Sequence, residues 1–383
     1  MTTDWPIVRL GELCELMTGG TPPSSDPSNY VDGQIPWLVS GDVHQGEITE
    51  CGGRITDAGF ARCNARWLPA NSVIIALNGQ GKTRGTVALL RMQATCNQSL
   101  VSMAPKDTKV LMPEYLFWNL RGRYDEIRRM TGDDGNERRG LNMPLIRSIR
   151  LPVPPVAEQQ RIVAILHETL ERIEAATTAA QENAARARNL VDVAMRSMLD
   201  HPSSDWEDTV IGAQVTLQRG VDITKAGQRS GAVPVVSSGG IRSYHDTALV
   251  KAPGVSMGRK GTLGKVFYLD QDFWPHDTSL YVRDFKGNDV RFVYYFFRVL
   301  DVSALDSGAA NPALNRNVVH ALPVRWPPLD IQRSFVALLD ELAGHANTLA
   351  RLQEEKLTAL AELKRSVFTH AFSGELTREP LAA

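Results

Sequence analysis

The 383-residue chain has only four cysteines, Cys14, Cys51, Cys63 and Cys96, and no two of them form a Cys-x-x-Cys pair. That excludes a zinc ribbon and a disulfide framework and leaves reduced thiols. No apolar run approaches the roughly 18–20 residues that would cross a bilayer. The first residues, with Asp4 and Arg9, lack the apolar centre of an export signal, so the expected compartment is the cytoplasm. A surplus of positive charge is missing too: 42 Lys and Arg face 43 Asp and Glu, and the whole-chain average discourages a simple nucleic-acid binder. Eight histidines show no metal-ligand spacing, and neither a nucleophile elbow nor a dinucleotide fingerprint is present.

What the chain does contain is itself, twice. Residues 141–166 align without a gap on 314–339, an offset of 173: Leu141-Asn142 answers Leu314-Asn315, Pro154-Pro155 answers Pro327-Pro328, and Gln159 answers Gln332. Upstream, Trp5 with Leu10-Gly11 answers Trp206 with Ile211-Gly212, and Gly33 with Pro36 answers Gly231 with Pro234. Gly85 answers Gly264, and Ser99-Leu100 answers Ser279-Leu280. A drifting offset upstream of the gapless block implies fixed strands separated by loops of unequal length.

Each copy reads as one α+β unit followed by one long helix. The units, 1–155 and 203–328, are rich in Gly and Pro and carry β-type runs at Ser72–Leu77, Thr86–Leu90 and Lys265–Leu269. Helical stretches are expected near Pro113–Met130 and Val290–Leu300. The two spacer segments, 156–202 and 329–383, are long helices by their spacing of apolar residues. The first stripe runs through Ile162, Leu166, Leu170, Ile173, Ala180, Ala184, Ala187 and Val191. The second is read as Phe335, Leu338, Leu342, His345, Leu349, Leu352, Lys356, Ala359, Leu363 and Val367. Packed antiparallel, the two stripes would bury each other. Because the second helix leads to the chain end while the first leads to Asp205-Trp206, the repeat is circular, and Trp5 is expected beside the end of the second helix.

Three stretches imitate enzyme motifs. Ala76–Thr83 fits a relaxed phosphate loop and would make Lys82 the nucleotide ligand, but Arg84–Val87 reads as a turn into another strand, not a helix start. Phe335–Glu341 imitates an acidic ATPase strand from within a helical stripe. Asp277 with Asp284 and Lys286 imitates a nuclease carboxylate set, yet the other copy shows Asn97 and Ala104 there.

The neutral total also hides a division of charge. The units carry +1 and +2, and each spacer segment carries −2. Basic residues gather in loops together with amides: Asn78, Gln80, Lys82 and Arg84; Arg121, Arg123, Arg128 and Arg129; Arg138 and Arg139; and Ser238, Arg259, Lys260 and Arg316. Arg and Lys serve phosphates and guanine edges, and amides pair with adenine, so the candidate DNA-binding residues are Asn78, Gln80, Lys82, Arg84, Arg138, Arg139, Ser238, Arg259, Lys260 and Arg316.

The chain resembles the DNA-specificity subunits of type I restriction-modification systems. The likeness is carried by Trp5 with Leu10-Gly11-Glu12, Gly20-Thr21-Pro22, Tyr30 with Gly33-x-Ile35-Pro36-Trp37, Leu141-Asn142, Leu151-Pro152-x-Pro154-Pro155 with Glu158-Gln159, and Ala371–Leu376. The second copy departs from it at Arg325-Trp326 and at Ile331, where the first has Glu158. The resemblance implies two target recognition domains joined by two antiparallel helices, each domain reading half of a split double-stranded DNA sequence. It implies methyltransferase subunits, usually two, docked around helices and domains, and a motor-nuclease subunit completing a restriction enzyme. Catalysis would then belong to the partners, with S-adenosylmethionine, ATP and Mg held there and no cofactor or metal in this chain. Two other readings stand beside it: an ATP-binding enzyme using the 76–83 loop, and a coiled-coil adaptor that meets only protein.

Overall fold

The structure, a computed structural model, describes residues 5–79, 81–131, 140–302, 305 and 313–377. Two compact units divide the chain, the first being Met1–Thr178 with Leu357–Ala383 and the second Ala179–Lys356. Each long helix therefore begins in one unit and ends in the other.

In the first unit the run Ser72–Ala76 is buried at every position and lies at the centre of a five-stranded sheet. A strand covered on both faces reads as continuous hydrophobics, as this one does. The sheet order is Cys14–Thr18, Leu100–Pro105, Ser72–Ala76, Val87–Leu90 and Glu47–Ile48. A smaller sheet places Ile35–Leu38 between Arg54–Ile55 and Thr95–Cys96, the latter pair parallel. The helix Pro113–Gly122 covers the larger sheet with Tyr115, Leu116 and Leu120, all fully buried. The expected longer helix is broken at Arg123, whose backbone leaves helical values and whose guanidinium donates to the Arg150 carbonyl at 2.6 Å; Tyr124–Arg129 follows as a separate helix.

The second unit repeats the plan. Its larger sheet runs Thr216–Arg219, Ser279–Asp284, Gly254–Gly258 and Val266–Leu269, and its smaller sheet sets Val233–Ser237 between Gly240–His245 and Trp274–Pro275, again with a parallel second pair. The helix Val290–Val299 covers it with Phe292, Val293 and Phe296.

The repeated sequence positions now have physical reasons. Gln159 and Gln332 are buried clamps. The Gln159 amide donates to the carbonyls of Val110 and Pro154 at 2.8 Å each, and its oxygen accepts from Met112 N at 2.9 Å. Gln332 likewise donates to Pro327 O at 2.9 Å and Asn288 Oδ1 at 2.7 Å, and accepts from Asp289 N at 2.9 Å. Each clamp fastens the start of a long helix, just after Pro-Pro, to the start of its unit's covering helix. Asn142 and Asn315 are helix N-caps, accepting from Leu145 N at 3.0 Å and Asn317 N at 2.9 Å. Gly11 and Gly212 let two short helices meet: a Cβ would lie 3.2 Å from the Arg147 side chain in one unit and 2.8 Å from that of His320 in the other.

The long helices are Val156–Leu199 and Leu329–Ser373. In the first unit Ile162, Leu166, Leu170 and Ile173 are buried together with Val367, Phe368 and Ala371 of the other helix. Trp5 and Leu376 border the same core, as the circular repeat requires. In the second unit Val191 and Met195 share a core with Leu339 and Ala346, and Arg188 pairs with Glu354 at 2.5 Å.

The register read for the second helix needs correction. Leu338, Leu349 and Leu352 are 54%, 42% and 48% exposed, while Leu342 is only partly buried and the core takes Leu339 and Ala346 instead. The clamp is the cause. With Gln332 turned inward, helical spacing brings Phe335, Leu339, Leu342 and Ala346 to the core and leaves the 338, 345, 349 and 352 row in solvent.

Candidate nucleic-acid interface

The basic loop of the first unit joins two antiparallel strands, Ser72–Ala76 and Val87–Leu90. Gly85 N donates to Ala76 O at 2.9 Å and closes the turn, with Gly81 and Gly85 at φ of 64° and 83°, values that glycine adopts freely. No helix follows the loop, so its amides lack the convergence that a phosphate loop draws from a helix N-terminus. It is instead held from beneath. The Tyr124 hydroxyl donates to Lys82 O at 2.8 Å, Arg128 donates to Gly81 O at 2.6 Å, and His44 Nε2 lies 3.0 Å from Thr83 Oγ1.

Lys82 and Asn78 are exposed on this loop and Arg84 is half-buried. The Asn78 side chain occupies the space that a Cβ on Gly140 would need, and Leu141 N donates to Leu77 O at 3.0 Å. The loop and the segment leading to Leu141 are thus brought together. Gln80, Arg138 and Arg139 lie outside the described residues.

The second unit builds a matching cluster. Gly258 N donates to Lys265 O at 2.8 Å to close the loop, and the amides of Arg259 and Lys260 both donate to Thr278 O. Thr278 Oγ1 in turn accepts from Ser238 N at 3.3 Å. Leu314 N donates to Arg259 O at 2.9 Å, which sets Arg316, exposed in the first turn of Arg316–His320, two residues beyond that hydrogen bond. Ser238, Arg259, Lys260 and the Arg316 segment therefore converge. Their roles differ. Arg259 is half-buried and donates to Asp277 O at 3.0 Å, and burial with the neighbouring Arg219 charge pushes its pKa down, whereas Lys260 is exposed.

Linear reading placed Arg128 in a basic cluster but missed that it holds the Lys82 loop together with His44 and Tyr124, because the three lie about 40 residues from that loop. It named Asp277 but not Asp222 and His276, and ligand-type atoms of these three lie within 4.8 Å of one another. Guanidinium groups occupy that place: Arg219 donates to Asp277 at 3.0 Å and Arg242 lies 3.0 Å from His276 Nε2. The set is an ion-pair network ill suited to a cation.

A duplicated α+β unit with loops of matched construction agrees with what known proteins show. The model of the type I restriction modification DNA specificity domain matches residues 2–183 and 204–359. The chain belongs to this family. It is 27% identical over 158 residues to the EcoR124I/EcoR124II specificity subunit of Escherichia coli, a match covering 41% of this chain and 39% of that protein. With the EcoprrI specificity subunit of Escherichia coli the identity is 20%, over 91% of this chain and 90% of the other. Among solved structures, a chain from a study of complex assembly and conformational transition in the type I R-M system superposes with a TM-score of 0.81 at 18% identity, covering 98% of this chain and 100% of that one. The HsdS subunit from Thermoanaerobacter tengcongensis gives a TM-score of 0.63 at 19% identity over 98% of both. These likenesses establish the fold. Among the described residues no helix is long and apolar enough to cross a membrane.

Proposed function

We propose that this specificity-domain protein acts as the DNA-reading subunit of a type I restriction-modification enzyme, one half of a split sequence being read by each unit. The observation that carries this is the double construction: two units of similar plan, the first with one extra strand in its larger sheet, each present a basic loop closed by glycines and tied to a Leu-Asn cap. Exposed Asn78, Lys82, Lys260 and Arg316 have the chemistry for base edges and phosphates. The chain performs no catalysis in this reading. Methyltransferase subunits, two per chain, bring S-adenosylmethionine, and a motor-nuclease subunit brings ATP and Mg.

The exposed row of Leu338, Leu349 and Leu352 favours a protein partner on the second long helix, since water-facing leucines at this spacing form a seam for another helix. An ATP-binding role for the 76–83 loop has less support, because the loop closes a hairpin. Methylome sequencing of cells carrying this chain with its methyltransferase tests the proposal. The expected result is adenine methylation in a two-part motif with an unread gap, and exchange of residues 203–328 for another family member's changes one part alone. A continuous motif, or both parts changing together, would count against it.

A further inference from the structure

The two covering helices allow a position-by-position comparison within one molecule. Each begins where a clamp glutamine accepts a backbone N–H, from Met112 in one unit and Asp289 in the other. Counted from there, Arg121 and Arg298 occupy the same step, and Phe117 and Tyr294 the step one turn earlier. Each guanidinium lies 5.5 Å from the centre of that ring. Arg121 is further held 5.0 Å from the Trp118 ring.

The surroundings of the two arginines differ in charge. Arg298 donates to the Tyr294 hydroxyl at 3.3 Å and pairs with Asp192 of the first long helix at 2.7 Å. In the first unit Phe117 has no hydroxyl to offer. The offset of 173 that aligns Gln159 with Gln332 aligns Asp192 with Arg365, so that carboxylate has no counterpart in the first unit, where the neighbouring residue Lys364 lines a pocket with Arg121. Among the described residues, the side chains of Lys82, Arg121 and Lys364 make no hydrogen bond or ion pair. They line, with His44, Tyr124 and Phe368, a pocket of about 440 Å³ that has no Asp or Glu in its wall. Burial pushes the Arg121 pKa down, and the Glu174 charge opposes that without an ion pair between them.

We propose that this pocket holds a phosphodiester group of the DNA bound by the first unit, so that Arg121 and Lys364 act as a backbone anchor that the second unit lacks. The inference rests on the reading of the chain as a DNA binder. A phosphate suits the site because its wall brings together a guanidinium fork, Arg121, and two mobile point charges, Lys364 and Lys82, and Lys82 belongs to the loop proposed to meet DNA.

The test is the salt dependence of duplex binding by the full chain assembled with its methyltransferase, followed by fluorescence anisotropy on the two-part motif and on a scrambled duplex. The slope of log K against log salt becomes shallower by about 0.9 for each phosphate that is no longer neutralised. Arg121→Gln with Lys364→Gln is expected to flatten the slope by about 1 on both duplexes, leaving the ratio between them unchanged. Arg121→Lys restores most of the slope, and Arg298→Gln leaves it as in the wild type while weakening the second unit's packing. An unchanged slope in the double variant, beside a wild type that prefers its motif, overturns the anchor. So does loss of methyltransferase assembly in that variant with DNA binding intact, which would make the pocket a protein-docking site. A wild type that binds both duplexes alike would instead sink the reading on which the anchor rests.

Discussion

Gln159 and Gln332 hold the start of each long helix by satisfying buried backbone groups that no secondary structure reaches. Replacing Gln159 by alanine leaves Met112 N, Val110 O and Pro154 O without their partner, and an orphaned buried group costs about 1–3 kcal/mol. With some relief by entering water, Gln159→Ala is expected to destabilise its unit by about 2–4 kcal/mol. Amide hydrogen exchange should show faster exchange in Pro113–Gly122 and unchanged rates in Val290–Val299; equal effects in both would contradict a local clamp. The thiols make a second residue-level case. Burial pushes the Cys14 and Cys96 thiols up to about 12, with Lys106 opposing at Cys14 and a backbone hydrogen bond from Gly19 opposing at Cys96. A raised thiol pKa keeps the neutral, unreactive form through any pH below that value. Iodoacetamide at pH 8 is accordingly expected to spare Cys14 and Cys96 in the native chain and to modify the partly exposed Cys63 first. Mass spectrometry that found Cys96 labelled early would disprove this.

At the scale of elements, the second long helix shows what spacing alone conveys. Its helical nature, length and start were legible from the Pro-Pro stop and an uninterrupted apolar period, and the first helix yielded its buried row, Ile162 to Ile173, with Val163 and Ile165 partly buried beside it. The second helix has leucines on two adjacent rows, so its rotation depends on a tertiary contact, the inward Gln332, that periodicity does not reveal. The loops behave alike. Glycine placement indicated turns, but the grip of Tyr124 and Arg128 on the Lys82 loop is a long-range contact. The corrected rotation makes a contrast. Leu339 is fully buried, and Leu339→Ala is expected to cost about 2–5 kcal/mol. Leu338→Ser, Leu349→Ser and Leu352→Ser, on the exposed row, are expected to change stability by no more than about 0.5 kcal/mol each. Together they should weaken capture of the methyltransferase in pull-down. Thermal melts in which the serine variants fell as far as Leu339→Ala would restore the other register.

At the scale of the whole molecule, the net charge of −1 is a sum of parts of opposite sign: weakly basic units and acidic spacer segments. Both long helices pass unbroken from one unit into the other, one of 44 residues and one of 45, with no Pro or internal break to absorb a change in length. An α-helix rises about 1.5 Å per residue, so four residues inserted at matched places in both helices lengthen each by about 6 Å. Base pairs are spaced about 3.4 Å along the duplex. If the units read separate half-sites and the helices set the interval, the inserted chain is expected to methylate the same two half-sequences across a gap longer by one or two base pairs. Because the loops at 77–86 and 258–265 are closed and supported within their own units, the half-sequences have no route by which to change. A methylome with the original gap would show that the interval is set elsewhere, and altered half-sequences would show that the helices shape the reading loops.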